Sequence, residues 1–480
     1  MVLTLFPLEE PEQYILNFFR VHRFGENKNL ITTDHGAWVL LDDEEFKLLR
    51  THKVERDPKL FSVLKEKGII ITKSNIEKVI ELYRSRFHFL FYGPTLHIVV
   101  PTFRCNFKCV YCHSRAKDPT EKKWDMDEDI AKKIVDFILK FPARELIIEF
   151  QGGEPLLHFE AVKTIVEYAR AREAEVKKKI NFSLVTNMSV MTEEKLEFLK
   201  KMRVVGLSTS LDGPEYVHNK NRKYINGAGT YKNVVYWIRK IKEEYSQFFS
   251  LSALTTITKY SLNYPEEIAK EIYDLGFNTV WFRFLNNLGF AHDVWEKIGY
   301  TPEEFLAFYK KGLNFVIEEL NKSRVFAENF GRIIAKKILE TNDPVFVDLQ
   351  APCGAGIGQL LYDFKGDIFT CDEAKILGET FKLGNVRESS INDIYKSEKL
   401  KAMVDISSKF PLICDACPWF PYCGICPVGL FVSQGNIIPK LSGEFRCSIF
   451  KELIKLIFKK ILFDEKARKV LISWTKMKIL

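Results

Sequence analysis

The apolar positions of this chain change period along its length. Between residues 95 and 285, short and nearly continuous apolar runs recur: "TLHIVV" (95–100), "ELIIEF" (145–150), "INFSLVT" (180–186), "VVGLSTS" (204–210), "FSLSALTTI" (249–257) and "NTVWFRFL" (278–285). Runs of this length and β-branched content predict buried strands. Amphipathic stretches lie between them. "MDEDIAKKIVDFILK" puts Ile130, Ile134, Phe137 and Ile138 on one helical face, and "NYPEEIAKEIYDLG" ends on a glycine, as helices often do. Six strand–helix units predict a parallel sheet with right-handed crossovers, either an open doubly wound sheet or an incomplete barrel.

The flanks read differently. Residues 1–88 predict a small α+β module, with strands at "FRVHRF", "NLITT" and "AWVLL" and helices at "DEEFKLLR" and "DPKLFSVLKEKG". Two helical stretches, "PEEFLAFYKKGLNFVIEEL" and "GRIIAKKILE", complete a unit over 89–344. From 345 to 449 glycine, proline and cysteine dominate and little periodicity remains, so this stretch needs an external staple to fold. A final helical region, 450–480, repeats Ile454, Ile457, Phe458 and Ile461 at helical spacing. That pattern suits a helix packed on the body with a solvated lysine face; lying on a membrane surface is its other use.

Polar interruptions help to choose between the two sheet architectures. The cysteine-rich "RCNFKCVYCHS" follows the first strand, "QGGEP" the second, "TNMS" the third and "LDGP" the fourth. All of them fall at one end, which fits a partial barrel with its chemistry at the C-terminal strand ends, although an open sheet also binds ligands there.

The net charge is +8, and residues 451–480 hold nine Lys or Arg against three Asp or Glu. The rest is nearly neutral, which argues against a nucleic-acid partner. The opening "MVLTLFPLEE" carries acids where a secretion signal has a basic region, and Lys or Glu interrupts every long apolar run. No signal peptide and no membrane span are therefore expected, and the chain is placed in the cytoplasm. In a reducing compartment its ten cysteines are more suited to metal or chemistry than to disulfides.

Cys105, Cys109 and Cys112 supply three thiols within eight residues. An Fe₄S₄ cube has four corners, so three thiolates leave one iron open, whereas a structural zinc ion asks for four closed ligands. "CNFKCVYC" resembles the cluster motif of the radical S-adenosylmethionine (SAM) enzymes and "GGEP" their methionine-binding loop, a likeness covering about 90–300. The resemblance implies a partial (β/α)6 radical SAM barrel. It further implies that the open iron binds SAM, whose one-electron cleavage gives a 5′-deoxyadenosyl radical that abstracts hydrogen. By the same likeness Tyr111 packs near the adenine, Gly152 and Gly153 admit the methionine amino group and Glu154 fixes their turn. "TSLDGPEYVHNKNR" nominates Ser210 and Arg222 as SAM contacts, and Asn187 joins them from the third loop. His113 is expected to be a neighbour of this site without being a ligand.

The remaining seven cysteines resemble the SPASM extension of radical SAM peptide maturases, which holds two auxiliary clusters. That likeness implies that Cys414, Cys417, Cys423 and Cys447 bind one [4Fe-4S] cluster fully and that Cys353, Cys371 and Cys426 bind another with an iron to spare, three clusters in all. The last pair, "CGIC", has two residues between its cysteines where the family usually has three, which leaves the sharing of Cys423 and Cys426 open. A pair of structural zinc sites is the competing use of such spacings. Asp372, directly after Cys371, is implied as a general base facing the substrate, with a solvated loop acid as the alternative and Glu373 a weaker candidate.

"ENKNLITTDHGAWVLLDDEEF", "PTLHIVVPTFRCNFKCVYC", "IIEFQGGEPLLHF", "STSLDGPEYVHNKNR" and "FRFLNNLGFA" together resemble, over nearly the whole chain, the radical SAM maturases of the His-Xaa-Ser peptide system. This implies an oxidoreductase acting on a ribosomally made precursor peptide, with a second radical SAM enzyme as partner and an electron donor such as ferredoxin or flavodoxin. A sulfatase-type or thioether-forming maturase acting on Ser or Cys is the alternative. The first module is then either a leader-peptide reader or a cap over the barrel. Arg283 and Asn287, at the end of the sixth strand, are placed over the barrel mouth, to face substrate or, for Arg283, to hold the fold by a salt bridge.

Overall fold

The computed structural model describes residues 13–408, 412–440 and 444–477; the acidic opening decapeptide lies outside them. β1 (Tyr14–Leu16) precedes an antiparallel meander of β2 (Phe19–Arg23), β3 (Asn29–Thr33) and β4 (Trp38–Leu41). The helix Asp43–Arg50 starts on a reciprocal capping box between Asp42 and Glu45. The helix Pro58–Glu66 starts on Asp57, whose carboxylate accepts from Lys59 and Leu60. β5 (Ile70–Thr72) then returns to pair with β1.

All five residues of β3 are buried, because both faces of the meander are covered. Leu49, Leu60 and Leu64 of the helices pack on one side. The other side meets distant chain: Thr32 Oγ1 donates to the Pro418 carbonyl, Trp38 Nε1 to Ile338, Tyr422 Oη to Gly36, and the Arg20 guanidinium reaches Asp34 and the Asp415 carbonyl. The first module is thereby fastened to the 415–422 segment.

The central sheet begins with five parallel strands in chain order: β6 (Leu96–Val99), β7 (Glu145–Phe150), β8 (Lys179–Thr186), β9 (Gly206–Ser210) and β10 (Ser250–Leu254). Helices cross over between them, among them Glu128–Leu139, capped by Asp127 and burying the four predicted side chains. The sixth strand is shorter than its apolar run suggests. β11 (Thr279–Val280) pairs with β12 (Ala327–Glu328) and meets the β10 side through a bridge between Thr256 and Arg283. Its ladder stops because buried Glu328 takes the Phe282 N–H at 3.2 Å, while also accepting from Gly331 N at 2.7 Å and from the Tyr309 hydroxyl. At the N-terminal ends of β10 and β11 a cavity of about 620 Å³ opens beside Lys242, Phe249, Ser252 and Thr279, at the opposite end from the polar loops.

Residues 345–449 contain more regular structure than their composition suggests. β13 (Gln359–Tyr362) lies parallel to β6 on its free edge, and β14 (Asp367–Phe369) and β15 (Lys382–Asn385) follow antiparallel. Among the described residues this gives an eight-stranded sheet in the order β10-β9-β8-β7-β6-β13-β14-β15. β13 escapes detection because all four of its residues are buried, leaving no alternation to read.

The C-terminal region is two helices, where the sequence suggested one. Phe445–Phe463 ends at Asp464, which turns extended and caps Glu465–Thr475 by accepting from Ala467 N. The first helix carries Cys447, so the expected boundary at 449/450 falls inside it. Ile454, Ile457, Phe458 and Ile461 are buried against the body, so this face is not free to meet a membrane. Among the described residues no helix is long and apolar enough to cross one.

Candidate cofactor sites

The loop after β6 is pinned at its base. Arg104, 7% exposed, donates through Nε and NH2 to the two carboxylate oxygens of Asp125, both at 2.7 Å, and Thr102 Oγ1 adds a third bond to that carboxylate. A bidentate, charge-assisted pair is the stiffest anchor available to a loop. The backbone of Lys108 and Val110 then bonds to Lys223 and Asn221, so the 221–224 segment closes the loop from above.

Cys105 and Cys109 are buried and Cys112 is half-buried. Burial raises the Cys105 thiol well above its usual value, and Cys109 and Cys112 add to the rise. Burial pushes Cys109 up to about 12, with Arg222 pulling the other way. Two buried thiols that resist ionisation alone, with Cys112 three residues on in the same loop, are relieved by a metal centre, so the donor set fits an iron–sulfur group. Asn187 Nδ2 points at Cys105 Sγ from 3.7 Å.

Gly152 and Gly153 pass directly under this loop. At φ +140°, Gly152 has backbone that side chains rarely adopt, and a Cβ on Gly153 would lie 2.1 Å from the Arg104 carbonyl. Only glycine fits there. Glu154, 1% exposed, accepts from Leu156 N at 3.0 Å, Thr186 Oγ1 at 2.7 Å and Asn187 N at 2.7 Å, tying the second loop to the third.

Tyr111 Oη donates to Asp212 and accepts from Arg222 NH1 at 2.9 Å. Arg222 is buried against the Phe107 ring, and its Nε has no hydrogen-bond partner among the described residues. A buried guanidinium with an unspent N–H beside the thiols fits recognition of a carboxylate-bearing ligand. Ser210, half-buried, ends β9 in register with Leu254. Asp212 was missed in the sequence, although it sits in the quoted "LDGP"; Asp125 and Arg446 carried no local signal.

The seven later cysteines fall into two places, and all ten are free of disulfides. Cys353, Cys371 and Cys426 line one hollow with Asp348, Glu373 and Met403. Burial raises Cys414, Cys423 and Cys447; Cys417 and Cys447 add to the rise at Cys414, Cys447, Cys417 and Cys414 to that at Cys423, and Glu444 and then Cys417 to that at Cys447, so these four lie near one another. Gly424 makes the short "CGIC" spacing workable: a Cβ there would meet the Asp348 carbonyl at 2.5 Å, so the chain turns closely enough to send Cys423 and Cys426 to different sets.

The two cofactor regions face each other. Asp372 Oδ2, next to Cys371, lies 3.6 Å from His113 Nε2, next to Cys112, and Lys375 Nζ sits 3.3 Å from the same nitrogen. Burial works to raise the Asp372 carboxyl, but His113, Lys375 and Arg283 together hold it below its usual range. Arg283 packs over Trp281, and Asn287 contacts His292 at 3.2 Å.

The family model of the radical SAM superfamily matches residues 99–272, and that of the SPASM iron-sulfur cluster-binding domain matches 353–418. A cysteine-type anaerobic sulfatase-maturating enzyme of Clostridium perfringens is 26% identical over 367 residues, which is 75% of this chain and 94% of the relative. The radical SAM cyclopropyl synthase TigE of Paramaledivibacter caminithermalis is 23% identical over 470 residues, 92% of this chain and 89% of the relative. Among solved structures, anSMEcpe with bound AdoMet aligns over 80% of this chain and 100% of its own, at 21% identity and a TM-score of 0.65. Streptococcus suis SuiB bound to precursor peptide SuiA aligns over 91% and 99%, at 16% identity and a TM-score of 0.54. These structures share the fold. The two matched domains imply [4Fe-4S] and SAM as the groups bound, and the homologues are enzymes. The chain thus carries a radical SAM domain of α/β fold continued by an iron–sulfur SPASM domain, and it is homologous to the anaerobic sulfatase-maturating enzymes.

Proposed function

We propose that this chain is a peptide maturase that cleaves SAM reductively and oxidises a ribosomally made precursor, of the His-Xaa-Ser type that the sequence resembles. The observation that carries the reading is the 3.6 Å approach of Asp372 to His113, which puts a carboxylate of the SPASM region beside the SAM-side thiols. When bound at the site of Cys105, Cys109 and Cys112, SAM and its cluster supply a radical able to take a substrate hydrogen atom. The protein's own part is to orient and to handle protons. Arg222, Asn187 and Ser210 hold the SAM end, Tyr111 braces Arg222, and Asp372 accepts the proton that the oxidised substrate must lose. Two auxiliary clusters, on Cys414, Cys417, Cys423 and Cys447 and on Cys353, Cys371 and Cys426, bring the total to three. A cytoplasmic ferredoxin or flavodoxin is the donor class, and a second radical SAM enzyme a partner.

The first module supports a docking place for the peptide. β2 is an edge strand of its meander, with Val21 exposed on it, which supports pairing with an extended leader. By sequence TigE aligns over 92% of this chain against 75% for the sulfatase-maturating enzyme, and by structure SuiB aligns over 91% against 80% for anSMEcpe. That difference favours a peptide over a folded sulfatase, which remains the second reading.

The test is anaerobic reconstitution followed by incubation with SAM, dithionite and a His-Xaa-Ser precursor encoded beside the gene. The expected outcome is precursor-dependent 5′-deoxyadenosine and a mass change in the peptide. In Asp372→Asn, 5′-deoxyadenosine should persist while product falls by about 10²-fold or more. Undiminished product with the clusters intact rules Asp372 out as the base.

A further inference from the structure

The hollow lined by Cys353, Cys371 and Cys426 holds three thiols, one fewer than an Fe₄S₄ cube has corners. It also holds Glu373. The Cys426 thiol donates to Glu373 Oε2 at 3.6 Å. Glu373 is a charged neighbour of all three thiols, whereas Asp348 bears on Cys353 and Asp372 on Cys371. Asp372 is turned toward His113, and Asp348 Oδ1 is taken by Arg446 NH2 at 3.1 Å. The Glu373 carboxylate is itself held in place, Oε1 by Asn286 Nδ2 at 2.5 Å and Oε2 by Arg446 NH1 at 3.3 Å. Such outer hydrogen bonds are what orient a metal-ligating carboxylate.

We propose that Glu373 is the fourth protein ligand of the cluster carried by Cys353, Cys371 and Cys426. The inference rests on the reading above that these thiols bind a cluster. A carboxylate carries the same unit charge as a thiolate, so the site is balanced by buried Arg446 in the same way as an all-thiolate one. Its consequence is that no iron of this cluster stands open to a heteroatom of the substrate, which must be held by other groups.

The test uses full-length, anaerobically reconstituted protein with Cys105, Cys109 and Cys112 replaced by alanine, so that the open SAM-side iron is gone. About eight irons per chain are expected, and ¹³C-cyanide should give no ¹³C coupling in the reduced EPR and ENDOR spectra. Adding Glu373→Ala should open one iron and make about one cyanide per chain visible. Cyanide coupling with Glu373 present, or no coupling after its removal from an intact cluster, overturns the assignment. If Glu373→Ala sheds four irons, Glu373→Cys is expected to keep them and stay silent to cyanide, and loss there too counts against the proposal. Iron near zero in the starting background means that the SPASM thiols hold no cluster, and the underlying reading fails instead.

Discussion

Tyr111 and Asp212 share a buried hydrogen bond, with the tyrosine Oη 2.8 and 3.0 Å from the two carboxylate oxygens. Arg222 joins from the other side of the same hydroxyl. The tyrosine is thus a go-between that lets an acid and a base, both buried, lie near the thiols without direct contact. In Tyr111→Phe that link is gone. SAM affinity, measured by equilibrium dialysis on the reconstituted protein, should fall about tenfold, about the worth of one hydrogen bond to a charged group, with iron content unchanged.

Asp125 carries a second expectation. In Asp125→Asn the Arg104 guanidinium loses its buried counter-charge, at a cost of about 3–5 kcal/mol. Thermal unfolding of the cluster-free protein should shift down accordingly, and reconstitution should leave the SAM-side site short of about four irons.

Arg20 ties the first module to the Asp415 carbonyl, between Cys414 and Cys417. Arg20→Met keeps the bulk and removes the bond. Iron should fall by about four per chain from the Cys414 set, while the SAM-perturbed EPR signal of the Cys105 set survives. Retention of every iron would show that the module merely covers this segment.

Asp363, in the turn between β13 and β14, is pushed up to about 6 by burial. An acid whose folded value exceeds its unfolded one binds more protons when folded, so it costs stability as pH rises from about 4 to about 6 and stays costly above. Asp363→Asn keeps the Oδ1 acceptor used by Lys365 and Asp367. Denaturant titrations should show the variant more stable at pH 8 by up to about 3 kcal/mol and level with the parent near pH 4.

The five parallel strands of the central sheet were legible because continuous apolar runs bounded by polar loops leave few other readings, and the loops themselves named the thiols and the double glycine; the sixth run kept only Thr279–Val280 as strand. What stayed hidden depends on distance in sequence. Asp125 and Asp212 look like ordinary loop acids until the fold brings them to Arg104 and Arg222. "QLLY" (359–362) has no alternation because it is covered on both sides. At Asp464 the local signal was present, an acid three residues before Ala467, but the apolar face continuing on both sides masked the break.

Cys105 follows β6, and Cys371 follows β14, one strand beyond its neighbour β13, in the same sheet. Adjacent strands sit about 4.8 Å apart whatever the side chains do. The two cofactor regions therefore stand on one girder. For the peptide maturase proposed above, the spacing available to a substrate between the two regions is then fixed by strand pairing, and lengthening the β13–β14 turn is a handle for changing it.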